Sequence, residues 1–69
     1  MNYDETCREI QKEIAHAGYR AMTLDYDRDK RGPGRYLVSA KNPDGIRVII
    51  AYTGSYADLL TETREYFGN

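Results

Sequence analysis

Residues 42–45 read Asn-Pro-Asp-Gly, and this tetrapeptide constrains the fold more than any other part of the chain. Pro43 presets φ for a turn, Asp44 tolerates the next turn position, and Gly45 supplies the positive φ that closes a type I turn with a bulge. Apolar and polar residues alternate on both sides of the turn, which is typical of two antiparallel strands. The sequence therefore predicts a β-hairpin with strands at about residues 35–41 and 46–52.

The turn also predicts which residues of the hairpin are paired. A three-residue loop from Pro43 to Gly45 sets Asn42 opposite Ile46, and every other pair follows from that one. One face then carries the pairs Ala40 with Val48, Val38 with Ile50, and Tyr36 with Tyr52. The opposite face carries Arg35, Leu37, Ser39 and Lys41, paired with Thr53, Ala51, Ile49 and Arg47. We expect the first face to be buried and the second to be uncovered.

Helical patterns lie on either side of the strands. Asn2 and Glu5 form an Asn variant of a capping box, and Gly18 is suited to the end of a helix, which places the first helix at about residues 3–17. Its apolar stripe consists of Tyr3, Cys7, Ile10, Ile14 and Ala17. Ser55 and Asp58 indicate a second capping box, opening a helix that ends at Gly68. The apolar stripe of this helix consists of Tyr56, Leu59, Leu60, Thr63 and Phe67.

A further strand is predicted between the first helix and the hairpin. Met22, Leu24 and Tyr26 alternate with polar residues, and a charged surface loop follows at residues 29–34. Two amphipathic helices and one apolar sheet face are buried together when both helices pack on that face. We therefore expect a two-layer α+β fold of order α-β-β-β-α, with a three-stranded antiparallel sheet and both helices packed on one face.

The length and charge of the chain limit its function. Its 69 residues predict a single small α+β domain, residues 1–69. A domain of this size buries only about 60% of the surface of its unfolded chain, so a large internal substrate cavity is not expected. Ten Lys and Arg residues against eleven Asp and Glu give a formal net charge of −1. This balance excludes the strong basic excess of a histone-like or nucleic-acid coat protein.

Three features predict a cytoplasmic protein that does not enter a membrane. The acidic N-terminus lacks the pattern of a signal peptide, and the longest apolar run, Val48 to Tyr52, is far shorter than the ~20 residues of a membrane span. Cys7 is the single cysteine, so no disulfide can form within the chain. A reducing compartment is the simplest interpretation.

The candidate motifs for catalysis and metal binding are incomplete. Cys7 and His16 lie about 13 Å apart along one predicted helix and on opposite faces, which excludes a nucleophile and base pair. Asp25, Asp27 and Asp29 resemble the start of a calcium loop, but the Gly and Glu that such a loop requires are replaced by Lys30 and Tyr36. Residues 31–35 combine glycine with arginine but precede a strand and lack the signature of a phosphate-binding loop. We therefore predict a protein that is not an enzyme and uses no metal or cofactor.

The middle of the chain is basic and carries the candidate contact residues. Residues 20–47 contain seven Lys and Arg residues against four Asp, so this segment can meet an acidic partner or a phosphate backbone; an ordinary solubilising surface is the alternative. Leu37 and Ile49 are expected on the uncovered sheet face, as a contact patch for a target protein or for a second copy of the chain. The candidate partner-binding residues are Arg28, Lys30, Arg31, Arg35, Leu37, Lys41, Arg47 and Ile49.

The order α-β-β-β-α, with Arg31-Gly32-Pro33-Gly34 between the first two strands, is similar to the double-stranded RNA-binding domain over the whole chain. The resemblance implies an RNA-binding function. That family holds phosphates with a lysine cluster at the start of its second helix, where this chain has Ser55-Tyr56-Ala57-Asp58-Leu59-Leu60. The resemblance therefore concerns topology, and it assigns no functional residue.

The chain contains seven tyrosines and no tryptophan, a high tyrosine content for so small a core. Tyrosine is enriched in protein interfaces, and it also borders thin cores with its hydroxyl in water. The predicted stripes place Tyr3, Tyr36, Tyr52 and Tyr56 inward and leave Tyr19 and Tyr66 as the more exposed ones.

Two functions of different classes follow from these observations. The first is a small non-catalytic protein that binds another protein as an inhibitor or adaptor, of the kind that phages and other mobile elements encode against host machinery such as defence nucleases. The alternative is a nucleic-acid-binding module that uses the basic loop between the first two strands.

Overall fold

The computed structural model describes residues 2–28 and 34–68. Helix α1 spans Tyr3–His16, strand β1 Arg20–Asp27, strand β2 Arg35–Lys41, strand β3 Arg47–Thr53 and helix α2 Leu59–Tyr66, with a short 3-10 helix at Tyr56–Asp58 before α2. The strands form one antiparallel sheet in the order β1-β2-β3, and both helices pack on one face of it. The predicted two-layer α+β fold is confirmed. The predicted loop at residues 29–34 lies outside the described residues except for Gly34.

Helix α1 begins and ends as the sequence predicts, and it buries Thr6 together with the predicted Ile10 and Ile14. The Asn2 side chain accepts a hydrogen bond from the Glu5 backbone N–H at 2.9 Å, and Gly18 adopts a φ of 82° just beyond the helix end. The buried residues are Thr6, Ile10 and Ile14. The expectation that Tyr3 lies inward is wrong, because α1 is turned so that Thr6 faces the core and Tyr3 is 57% exposed.

Helix α2 buries the predicted residues without the predicted cap. Ser55 makes no side-chain capping hydrogen bond; instead its backbone N–H donates to the Thr53 hydroxyl at 3.1 Å, and its carbonyl accepts from Asp58 at 3.1 Å. The chain therefore passes through a 3-10 turn, and the capping box predicted at residues 55–58 is wrong. Leu59 and Thr63 are fully buried, and the Thr63 hydroxyl donates to the Leu59 carbonyl at 2.8 Å, so its burial leaves no unsatisfied polar group.

The turn at residues 42–45 has the predicted geometry. Gly45 has a φ of 82° and donates its N–H to the Asn42 carbonyl at 2.8 Å. The Asn42 side-chain oxygen also accepts from the backbone N–H groups of Asp44 and Ile46, at 3.0 and 2.9 Å. The hairpin register that follows from this turn is confirmed for Lys41 with Arg47, Ala40 with Val48 and Ser39 with Ile49.

Beyond Ser39 the hairpin register differs from the prediction by one residue. Val38 pairs with Ala51, Leu37 with Tyr52 and Tyr36 with Thr53, so Ile50 is an extra residue that forms a bulge in β3. Ile50 and Ala51 are both buried against the helices, at 6% and 3% exposure, which explains the bulge: two consecutive apolar side chains enter the core. The predictions that Ala51 faces outward and Tyr52 inward are therefore wrong.

The core is a single apolar layer between the sheet and the helices. It consists of Ile10, Ile14, Val38, Ala40, Ile50, Ala51, Leu59 and Leu60. Helix α2 lies over β3 and α1 packs against α2, while α1 makes few contacts with β1. The inward side chains of β1, Met22 and Leu24, are consequently only half-buried.

Ile49 and Ile50 are neighbours in β3, so replacing each of them compares an exposed and a buried position with the same side chain. Ile50→Ala is expected to lower the free energy of unfolding by about 2–4 kcal/mol because it leaves a cavity in the core. Ile49→Ala is expected to change it by less than about 1 kcal/mol because Ile49 is 59% exposed. Urea unfolding followed by circular dichroism measures both, and Ile50→Val, with an expected loss of about 1 kcal/mol, replaces Ile50→Ala if that variant does not fold. Equal losses for the two positions would contradict the assignment of Ile50 to the core and Ile49 to the open side of the sheet.

Candidate functional site

The sheet face opposite the helices is uncovered in the part of the chain that the structure describes. Its side chains alternate outward along β2, and their cross-strand partners join them from β1 and β3. We call this surface the open face; it consists of Thr23, Asp25, Asp27, Arg35, Leu37, Ser39, Lys41, Arg47, Ile49 and Tyr52.

The bulge at Ile50 gives the open face its apolar centre. Because two consecutive residues of β3 turn inward there, Tyr52 turns outward and lies opposite Leu37. Ile49 and Tyr52 are 59% and 50% exposed, and Leu37 is half-buried in the central strand. Three apolar side chains thus lie on adjacent rows of the open face. Large exposed apolar groups that cluster in this way mark interaction sites more often than isolated ones do.

A network of hydrogen bonds joins side chains in the row that contains Ile49. The hydroxyl groups of Thr23 and Ser39 lie 2.7 Å apart in a hydrogen bond across β1 and β2, and the Arg47 guanidinium donates to the Ser39 hydroxyl at 3.1 Å. Ser39 is only 5% exposed although it belongs to the open face, because its neighbours on both strands lie over it. The Arg47 side chain is therefore held against the sheet next to Ile49.

Charges of both signs surround the apolar centre. At the turn end, Lys41 pairs with Arg47 on one side and with Arg20 on the other. At the opposite end, Asp27 pairs with Arg35, and Asp25 pairs with Leu37. The Arg35 guanidinium lies over Gly54, where a side chain would displace it. The open face thus carries positive charge at the turn end and charges of both signs at the opposite end.

The structure brings five of the eight predicted contact residues onto the open face, namely Arg35, Leu37, Lys41, Arg47 and Ile49. Arg28 is exposed immediately after β1, and Lys30 and Arg31 lie outside the described residues. The three basic residues among these five are divided between the two ends of β2, which lie about 20 Å apart. They do not form one continuous basic patch.

Sequence reasoning placed Tyr52 inward, and it did not predict the hydrogen bond between Thr23 and Ser39 on this surface. For Tyr52 a signal exists in the run Ile49-Ile50-Ala51, where alternation fails and one residue too many is apolar. The Thr23 and Ser39 pair depends on the register between β1 and β2, which is itself shifted by a bulge between Arg20 and Thr23. No turn motif in the sequence specifies that register.

Four tyrosines form a row along one end of the layer between helices and sheet. The ring centroids of Tyr26 and Tyr36 are 4.9 Å apart, those of Tyr36 and Tyr56 5.3 Å, and those of Tyr56 and Tyr3 5.4 Å. The Tyr56 hydroxyl donates to the Tyr3 carbonyl at 2.9 Å, and burial raises the pKa of Tyr56. Tyr26 and Tyr3 are 56% and 57% exposed at the two ends of the row.

A second aromatic cluster lies where α2 ends. The Tyr19 ring contacts those of Tyr66 and Phe67 edge to face, with centroids 6.3 and 5.0 Å apart. A hydrogen bond with the Tyr19 side chain, together with partial burial, raises the pKa of Tyr66. Tyr66 is exposed as predicted, whereas Tyr19 is half-buried, because it packs between the end of α2 and the core.

Comparisons with known proteins give no relative: no family model, curated protein or solved structure matches the chain. Among residues 2–28 and 34–68, no three His, Cys, Asp or Glu side chains are placed to hold a metal ion. Within the same ranges, neither helix has the length and apolar character that crossing a bilayer requires. Cys7 is half-buried and His16 is exposed.

The raised pKa of Tyr66 predicts a loss of stability in alkali. Its stabilising contribution is complete below the pKa of tyrosine in the unfolded chain, about 10, and is lost as the pH rises through the higher pKa of the folded state. Tyr66→Phe is expected to show a smaller fall in melting temperature between pH 9 and 11 than the wild type. Thermal unfolding at a series of pH values measures this, and equal falls for both proteins would contradict the assigned hydrogen bond.

Proposed function

We propose that this protein is a non-catalytic protein-binding module that acts as an inhibitor or adaptor through its open face. The observation that carries the proposal is the apolar centre of Leu37, Ile49 and Tyr52 on a sheet face that no described helix covers. Tyrosine and arginine are enriched among energetically important interface residues, and here Tyr52 lies on the same face as Arg35 and Arg47. The partner class expected from the sequence, host machinery such as a defence nuclease, is part of this proposal.

The charges of the open face favour a protein partner over a phosphate backbone. Asp25 and Asp27 lie in the rows of Leu37 and Arg35, so a phosphate bound near Arg35 would meet two carboxylates. Protein surfaces carry both signs and can complement such a pattern, whereas a nucleic acid offers only negative charge. Arg47, which the Ser39 hydroxyl holds against the sheet, is already positioned to contact a partner.

A nucleic-acid-binding module that uses the basic loop between β1 and β2 is the second candidate. The observation that favours it is the exposed Tyr26 ring, two positions before Arg28 and paired across the strands with Tyr36. Exposed aromatic rings beside cations stack with unpaired bases. This arrangement is suited to single-stranded nucleic acid and lies at the loop end of the sheet.

Two isoleucines of nearly equal exposure test the proposed function. A photo-crosslinking phenylalanine analogue at position 52 is expected to trap a defined partner protein in the source cells. Ile49→Ser should abolish that product, whereas Ile46→Ser should not, because Ile46 is 60% exposed but lies in the turn, off the open face. Both variants should keep the wild-type melting temperature within about 5 °C. Equal crosslinking in both variants would refute the open face as the binding surface. So would the absence of crosslinking in the protein that carries the analogue at position 52 without either serine substitution.

Electrophoretic shift assays separate the two candidates. With duplex RNA, duplex DNA and single-stranded RNA, the first candidate predicts no shift at about 50 mM salt. Nucleic-acid binding would instead give a shift that weakens steeply at about 200 mM salt, because the logarithm of the affinity falls by about 0.7 to 0.9 per phosphate contacted for each tenfold rise in salt. If a shift is lost in Tyr26→Ala but kept in Ile49→Ser, the second candidate replaces the first.

A further inference from the structure

A groove of about 540 Å³ lies on the helix side of the sheet, between α1 and β1. Its lining includes the apolar residues Ile14, Ala15 and Met22 and, from α1, the cations Arg8 and Lys12. It is separate from the open face, which lies on the other side of the sheet. The proposed function does not use it.

The groove exists because the two helices do not cover all three strands. Helix α2 lies over β3, and α1 packs against α2 with few contacts to β1. The inner side of β1 is therefore left with Met22 and Leu24 half-buried. Helices pack about 8–10 Å apart, so a further helix beside α1 would lie over β1 and extend the helix layer.

The charged side chains that line the groove in the described residues are all positive. Arg8 and Lys12 are one turn apart on α1, and no carboxylate lines the groove in the described residues. Arg20 also lines the groove, but the end of its guanidinium lies near Gly45 in the turn. Lys12 forms an ion pair with Glu9 at 3.2 Å, but its side chain is 72% exposed, and exposed pairs of this kind contribute little. The long side chains of Arg8 and Lys12 can cover apolar groups of a ligand while their charged ends contact carboxylates.

The shape of the groove indicates a peptide helix. The groove opens broadly to solvent, so a small molecule would leave much of its surface in water, whereas binding pockets usually enclose most of a ligand. Addition of a strand to β1 is disfavoured because the bulge between Arg20 and Thr23, with Ala21 at a φ of 54°, breaks the edge beside the groove. An amphipathic helix needs no free strand edge and buries its apolar stripe in such a groove.

We propose that the groove between α1 and β1 binds an amphipathic helix of a partner protein, with its apolar stripe on Ile14, Ala15 and Met22 and with acidic residues against Arg8 and Lys12. The acidic residues would lie on the flank of the stripe that faces α1, because both cations belong to that wall. The interaction is independent of the open face. A protein that uses both surfaces would hold two partners on opposite sides of one sheet.

The probe is a synthetic peptide of about 16 residues, with leucine along one helical stripe, glutamate on one flank of that stripe and alanine elsewhere. It is titrated into the full-length, isotope-labelled protein, and backbone amide shifts are followed by NMR. We expect saturable shifts at Ala15, Tyr19 and Met22 with a dissociation constant below about 1 mM, and no such shifts with a peptide that has lysine in place of glutamate. The double variant Arg8→Glu/Lys12→Glu should weaken binding at least about tenfold.

The control variant Arg28→Glu/Arg35→Glu makes the same change in charge away from the groove, and it should bind the peptide as the wild type does. Both double variants are compared with the wild type by circular dichroism, so that misfolding is recognised. The proposal is overturned if the glutamate peptide causes no shifts at the groove up to about 1 mM, or if the lysine peptide binds equally well. It is also overturned if dodecanoate below its micellar concentration causes these shifts and the peptide does not, since the groove would then be a small-molecule site.

Discussion

The side chain of Asn42 sets the register on which the rest of the molecule depends. Its oxygen accepts hydrogen bonds from two backbone N–H groups of the turn, and its carbonyl accepts from Gly45. This fixes Lys41 opposite Arg47 and Ser39 opposite Ile49, and thereby decides which side chains of β2 enter the core. A turn displaced by one residue would exchange the apolar face of the hairpin for its polar one. The packing of both helices depends on this choice.

The core is thin, and its limited extent creates both candidate surfaces. Eight buried apolar residues, four from the helices and four from β2 and β3, hold the two layers together. None of them belongs to β1, whose inward side chains are only partly covered. The helix layer is thus narrower than the sheet, which leaves the groove beside α1. Because both helices lie on the same side, the opposite face of the sheet has no covering element among the described residues.

The sequence was sufficient for the parts of the fold that local chemistry determines. The turn at residues 42–45, the start of α1 at Asn2 and the exposure of Ile49 each follow from a motif or an alternation that acts over a few residues. The bulge at Ile50 could not be located in this way. It arises because Ile50 and Ala51 both gain more from burial against α2 than a regular strand would allow, and that gain depends on tertiary packing.

The same limit explains the errors at both helices and at the candidate site. Ser55 and Asp58 have the spacing of a capping box, but the aromatic contacts of Tyr56 with Tyr3 and Tyr36 accompany a 3-10 turn there. Tyr52 was expected in the core because regular alternation places it there, and one extra residue reversed its side. Of the predicted cations, Arg35, Lys41 and Arg47 lie on the open face, but the length of β2 separates Arg35 from the other two.

The two bulges have a consequence for solubility. The central strand β2 is paired on both sides, so β1 and β3 are the only strands with a free edge in the described sheet, and each contains a bulge, near Ala21 and at Ile50. A bulge interrupts the ladder of hydrogen bonds that an incoming strand needs, so neither edge is a regular template for the growth of fibrils. Without the bulges, the chain would combine a regular free strand edge with a sheet face that exposes Ile49 and Tyr52. Irregular edges therefore limit edge-to-edge pairing while the open face stays uncovered among the described residues.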